Sequence, residues 1–228
     1  MKTMRKTREK TRKLVVAGML SAVTMVLGLT PLGIIPIGPL NATILHVPVI
    51  IGAVLEGPVV GFIIGLIFGL FSLYRAAVGG SVLSPLFLNP LVTILPRVLI
   101  GPVAYFVFRG FTHLTKKRAL SVGVAAVAGT LTNTIGVMGL IFILYAQQYA
   151  DLMGLSREGV GLAILSASAV NGVPECILAA IVSIAVVVAV WKLTGGPRTG
   201  QPHSGEPHSG EPHSGTPDSG EPHSGQPR

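Results

Sequence analysis

The residues best equipped for chemistry in this 228-residue chain are few, and they are set among apolar neighbours. Arg97 lies inside the stretch FLNPLVTILPRVLIGPVAYFVF, residues 87–108, which has the apolar length of a membrane-spanning helix and carries Asn89 near its start. A cation at membrane depth costs at least about 2.5–3.5 kcal/mol on insertion scales. Arg97 must therefore face a partner, a water-filled cavity or a ligand. Pro90 and Pro96 precede it, and each removes a backbone donor and leaves a carbonyl about one turn back to be satisfied by protein or water. The chemistry of a guanidinium is forked recognition of a carboxylate, from a ligand or from an internal acid. The chain offers such an acid, Glu175, in the segment NGVPE, residues 171–175. His46, Asn133 (beside Thr130, Thr132 and Thr134) and Asn171 are the other polar groups at comparable depth. Together they make the composition of a mostly apolar pocket with a few placed polar groups. The alternative is that Arg97 pairs with Glu175 while the asparagines knit helices together.

Composition sets the class. Half of the residues are hydrophobic and 11% are charged, the balance of a polytopic membrane protein. The formal charge of +8 is concentrated at Lys2, Arg5, Lys6, Arg8, Lys10, Arg12 and Lys13, and again at Arg109, Lys116, Lys117 and Arg118. Basic clusters flanking apolar spans report topology rather than nucleic-acid binding. The single cysteine, Cys176, excludes an intramolecular disulfide. The basic start and the apolar run after it read as a retained first helix, not a cleaved signal.

Six spans position the polar residues, in an all-α integral membrane protein. Residues 14–29 form the first, with small residues four apart, Ala17 with Ser21 and Gly18 with Ala22, able to approach a helix closely. Residues 30–41, TPLGIIPIGPLN, are too rich in proline and glycine for a helix yet apolar, and read as a partly buried lid or re-entrant segment ending at Asn41. A short span at 43–55 carries His46 at its outer end, and Glu56-Gly57-Pro58 turns into the third. There Gly57, Gly61, Gly65 and Gly69 recur four apart and predict a very close neighbouring helix. Tyr74 stands at the far end of that helix, before the loop 76–86. The arginine span follows, then a basic loop, a fifth span over 120–145, an aqueous loop over 147–159 and a sixth span over 161–193. Gly172 and Pro174 predict a break or kink in the last, with Glu175 turned inward.

This order places both termini in the cytoplasm and the polar set towards the outer face, by the distribution of Lys and Arg. The domains are a basic segment 1–13, a membrane domain 14–194 and a tail 195–228. The tail repeats a PHSGE-like unit, has nothing to bury and is expected to be disordered. No phosphate-binding GxxxxGK[ST] loop is present, so the chain has no ATP site of that kind. No histidine pair at metal spacing lies in the apolar region, and no nucleophile motif surrounds Ser166 or Ser168. These observations oppose an enzyme and a metal site.

Three segments taken together, ATILHVPVIIGAVLEGPVVGFIIGLIFGLFS (residues 42–72), FLNPLVTILPRVLIG (87–101) and NGVPECILAAI (171–181), resemble the substrate-binding S component of energy-coupling factor (ECF) vitamin transporters. The resemblance covers roughly residues 13–194. It implies six helices and a site near the outer face capped by the loops after helices 1, 3 and 5. The residues expected to bind the substrate there, by their type and depth, are Arg97, Asn89, Asn133, Asn171, Glu175 and His46, with Asn41 and Tyr74. The resemblance also implies partners: a transmembrane T protein, docked on the first-helix face of Ala17, Gly18, Ser21 and Ala22, and two ATPases that consume the ATP, leaving no cofactor in this chain. The pattern is most similar to pantothenate S components, with pyridoxine, cobalamin and folate S components as near relatives. A different class, a self-sufficient channel or ion-coupled carrier, would show inverted repeats with matched broken helices.

Overall fold

The computed structural model describes residues 2–30, 33–37, 40–79 and 82–194, with side chains for all of these except 2–6, 34–37, 40–42 and 157. The tail expected to be disordered lies outside the described residues. The elements run α1 (Lys2–Leu29), β1 (Ile34–Ile37), β2 (Leu40–Thr43), α2 (Val47–Glu56), α3 (Pro58–Val78), α4 (Ser84–Phe87), α5 (Pro90–Thr93), α6 (Leu95–Thr115), α7 (Arg118–Met153) and α8 (Val160–Thr194). Among the described residues, five helical segments are long and apolar enough to cross a membrane: Thr7–Leu29, Pro58–Val78, Pro90–Thr115, Arg118–Met153 and Val160–Thr194. The sixth apolar helix, α2, has ten residues, about 15 Å at 1.5 Å per residue and so about half of a hydrocarbon core. A β1–β2 antiparallel hairpin, with Ile34 opposite Thr43 and Ile37 opposite Leu40, leads into it. The greasy, irregular segment read as a lid is thus built around a hairpin that precedes the half-length helix.

The glycine repeat does what its spacing predicts, with one exception. A Cβ on Gly61 would collide with Gly101 of α6, one on Gly65 with the Arg97 carbonyl, and one on Gly69 would lie 3.0 Å from the Ile94 Cα. Three successive turns of α3 therefore lie directly on the α6 backbone. Gly57 is not part of this face. It forms the turn between α2 and α3, at φ 103°, where a side chain would be strained.

Three prolines act differently from expectation. The arginine span is not one helix: Pro90 opens α5, and Pro96 is the second residue of α6. In the first turn a proline removes no hydrogen bond within its own helix, but Pro96 leaves the Val92 carbonyl of α5, four residues back, without a backbone donor. Pro174 does not break α8, which runs as one helix from Val160 to Thr194. The irregularity lies in α7 instead, at Tyr145 (φ −136°, ψ 23°). Beyond it the chain stays helical through Met153, past the boundary read from polarity. Tyr149 and Ala150 are buried there, Gln147 donates to Asp151 at 3.0 Å, and Gly154 ends the helix in the left-handed conformation.

Two apolar cores result. One joins α1, α2, α3, α6, α7 and α8 through Ala17, Ile50, Ile64, Ile100, Ala126 and Ala179, among others. The second joins α4, α5, α7 and α8 through Leu86, Val92, Val137, Ile141, Tyr149, Val160 and Ile164. Gly65→Ala should destabilise the detergent-solubilised protein by about 1–3 kcal/mol, since α3 and α6 cannot separate without disturbing both. Gly18→Ala, where a Cβ meets nothing within 4 Å, should be neutral in the same thermal-unfolding assay.

Candidate functional site

Along each central helix the polar residues fall between the two cores. On α6, Arg97 lies between Val92 of the second cluster, just upstream in α5, and Ile100 of the first. On α7, Thr130, Asn133 and Thr134 lie between Ala126 and Val137. On α8, Asn171 and Glu175 lie between Ile164 and Ala179, and His46 immediately precedes the first-core run of α2. Arg97 is eighteen residues from the end of α6 and Glu175 nineteen from the end of α8, about 27 and 28 Å along their helices. The chain thus builds one polar layer, apolar above and below, with α7 packed against both α6 and α8.

Arg97 is held in this layer by backbone and ring faces. Its side chain is buried, and Nη1 donates to the Val92 carbonyl at 3.0 Å. That carbonyl is four residues before Pro96, the one that a proline at position 96 cannot satisfy. The guanidinium carbon lies 5.8 Å from the centre of the Phe68 ring and 5.6 Å from that of Phe87, within cation–π range. No ion pair joins Arg97 to an acid among the described residues, where the salt bridges are Arg12–Glu56 and Lys13–Glu9. Nε is buried with no hydrogen-bond partner among the described residues. A fixed, buried cation with an unused donor and no counter-ion is suited to receive an anion.

Glu175 is engaged elsewhere. Its Oε1 accepts from the Thr43 backbone N–H at 2.9 Å and from the Thr43 hydroxyl at 2.8 Å. The paired arrangement weighed from sequence, Arg97 against Glu175, does not form.

The remaining candidates divide. His46 is buried at the start of α2, with Nε2 2.9 Å from Thr130 Oγ1. Because the Thr130 hydroxyl donates to the Ala126 carbonyl, it accepts from Nε2–H, and His46 ties α2 to α7. Asn133 Oδ1 is buried with no partner among the described residues, as are Arg97 Nε and His46 Nδ1 of the same layer. Asn171 is half-buried and donates to the Ala167 carbonyl at 3.0 Å. Asn89 caps α5 by accepting from Leu91 N–H at 2.9 Å and donates to the Tyr145 hydroxyl at 2.8 Å. It joins the arginine segment to the irregular turn of α7. Tyr74 is 59% exposed at the end of α3. Asn41 is a residue of β2 whose side chain lies outside the described ones. Thr43, Phe68 and Phe87 were not singled out from sequence. The two phenylalanines are ordinary apolar residues until the fold brings Arg97 between them.

The first-helix set also divides. Ala17 and Ser21 are buried against the protein's own interior, whereas Gly18 and Ala22 face outward.

Comparison with known proteins places this arrangement in context. Residues 12–187 match the family model described as ECF transporter, substrate-specific component. A pantothenic acid transporter PanT of Lactococcus lactis subsp. cremoris (strain MG1363) is 30% identical over 168 residues, covering 68% of this chain and 80% of that protein. A pantothenate transporter PanT of Leuconostoc mesenteroides subsp. mesenteroides is 30% identical over 159 residues, covering 66% and 78% respectively.

Proposed function

The chain belongs to the family of ECF transporter substrate-specific components, and from that premise we propose that it is the pantothenate-binding subunit of a vitamin uptake transporter. The observation that carries the substrate class is Arg97, a buried guanidinium held by a carbonyl and two rings, with no acid opposite it among the described residues. A ligand carboxylate supplies the missing charge. Asn133, whose buried Oδ1 lacks a donor, suits a hydroxyl or amide N–H of the same ligand. Pantothenate carries a carboxylate at one end, and an amide and hydroxyls along its length. The two PanT relatives support this choice over other vitamins. Binding by this subunit is passive, and ATP is consumed by partner ATPases joined through a T protein. The N-terminus and the basic loop between α6 and α7 face the cytoplasm, and the polar layer opens to the outside.

The purified protein should bind pantothenate stoichiometrically without ATP, and vesicles containing it alone should not concentrate the vitamin. ATP-independent concentrative uptake by those vesicles would favour a self-sufficient carrier instead. Arg97→Met should weaken pantothenate binding by about 2–5 kcal/mol, as for truncation of a desolvated charge pair, and Arg97→Lys by less. The sharper arm uses pantothenol, in which an alcohol replaces the carboxylate. The unmodified protein should prefer the acid strongly, and Arg97→Met should bind acid and alcohol about equally. An undiminished preference in Arg97→Met would remove the guanidinium from the site.

The outward pair Gly18 and Ala22 is the part of the first-helix set available to a T protein. Gly18→Trp should therefore prevent co-purification with the T protein while pantothenate binding is kept. Ala17→Trp should instead lower the thermal stability of the isolated subunit. Retained assembly in Gly18→Trp would place docking on another face.

A further inference from the structure

We infer that Glu175 latches the β1–β2 hairpin onto α8 and thereby sets how fast a ligand leaves the polar layer. The release half of this inference rests on the function proposed above, and the latch itself does not.

The argument begins with the edge of a two-stranded sheet. In an antiparallel hairpin, alternate N–H groups of each strand point away from the partner strand and have no ladder acceptor. At the end of β2 the inward donor is that of Ile44, which bonds the Gly33 carbonyl at 3.1 Å. The N–H of the preceding residue, Thr43, points outward. In water this would cost nothing, but among apolar helices an unsatisfied N–H costs several kcal/mol. Glu175, 132 residues further along the chain, supplies the acceptor, and one carboxylate oxygen takes both Thr43 donors.

The position of this contact gives it consequences. Thr43 is the last residue of the hairpin, three residues before His46, which is fixed to α7 through Thr130. On the α2 side the segment is therefore anchored. Glu175 belongs to the polar layer and is 7% exposed, so the hairpin is fastened to the same stratum that holds Arg97. Opening it requires giving up two hydrogen bonds to a carboxylate, each stronger than a neutral one. Glu175 is a positioning residue here: it acts on a ligand through the hairpin.

Hydrogen–deuterium exchange of the full chain, ligand-free in lipid nanodiscs, tests the latch without reference to any ligand. Glu175→Met, which removes the acceptor, should speed exchange of the hairpin amides by about tenfold or more, with α3 and α6 unchanged. Glu175→Gln keeps an accepting oxygen but loses the charge, so its exchange should be faster than that of the unmodified protein and slower than that of Glu175→Met. Thr43→Val, which deletes one of the two donors without disturbing α8, should fall between. Unchanged hairpin exchange in both Glu175→Met and Thr43→Val would overturn the latch, as would Glu175→Gln matching Glu175→Met. The release half is read from dissociation of radiolabelled pantothenate, which should quicken in the same order. Faster hairpin exchange with unaltered dissociation would overturn that half. Absence of pantothenate binding in the unmodified protein would refute the proposed substrate, while the exchange result still decides the latch.

Discussion

Everything in this protein is arranged around a carbonyl that proline leaves open. Pro96 cannot donate to Val92, and the adjacent residue, Arg97, turns back to do so at 3.0 Å. The exchange solves two problems at once. A backbone oxygen in an apolar environment gains a charge-assisted donor, and a costly buried cation gains a fixed position without a neutralising carboxylate. An internal ion pair would have neutralised the guanidinium's charge, though not used all five of its donors. A carbonyl contact leaves Nε unpartnered and the positive charge uncompensated.

The rest of the fold holds that device in place. Gly65 lies directly on the Arg97 carbonyl, so α3 fixes the backbone of the first turn of α6 from one side. Gly136 of α7 does the same from another, since a Cβ there would come within 2.9 Å of the Pro96 ring. Phe68 and Phe87 flank the guanidinium. Apolar clusters lie on either side of the layer along the helices, and low-polarity surroundings strengthen each electrostatic contact within it. The ten-residue α2 leaves room for the β1–β2 hairpin before it, and Thr43 at the end of that hairpin meets Glu175 of the layer.

What was legible in the sequence follows from what is local. The six apolar helices, the approach of α3 to a neighbour and the anomalous depth of Arg97 depend on periodicity and hydropathy, which a single chain displays. The hairpin was legible only as a segment that could not be helical, because its edge donor is satisfied by Glu175, 132 residues away. Glu175 looked equally able to serve Arg97, and only the fold decides between them. Asn89 reads as a polar group beside Arg97, and that its amide caps α5 and donates to Tyr145 is invisible without the partner. The small residues of α1 showed a face but not its direction, since Ala17 and Gly18 differ in exposure only once the neighbouring helices are in place. Pro174 illustrates the limit of a local rule: packing on both sides carries α8 through it.

The most direct test of this account is a pair of double-mutant cycles on unfolding free energy in detergent, one for Pro96→Ala with Arg97→Met and one for Glu175→Gln with Arg97→Met. If Arg97 serves the carbonyl that Pro96 orphans, Pro96→Ala restores the missing N–H. The cost of Arg97→Met should then be smaller in that background by about 1–3 kcal/mol, the penalty of a buried unsatisfied group. The cycle with Glu175 should be additive within about 0.5 kcal/mol. Additivity with Pro96 together with strong coupling to Glu175 would contradict the account, and would return Arg97 to an internal ion pair.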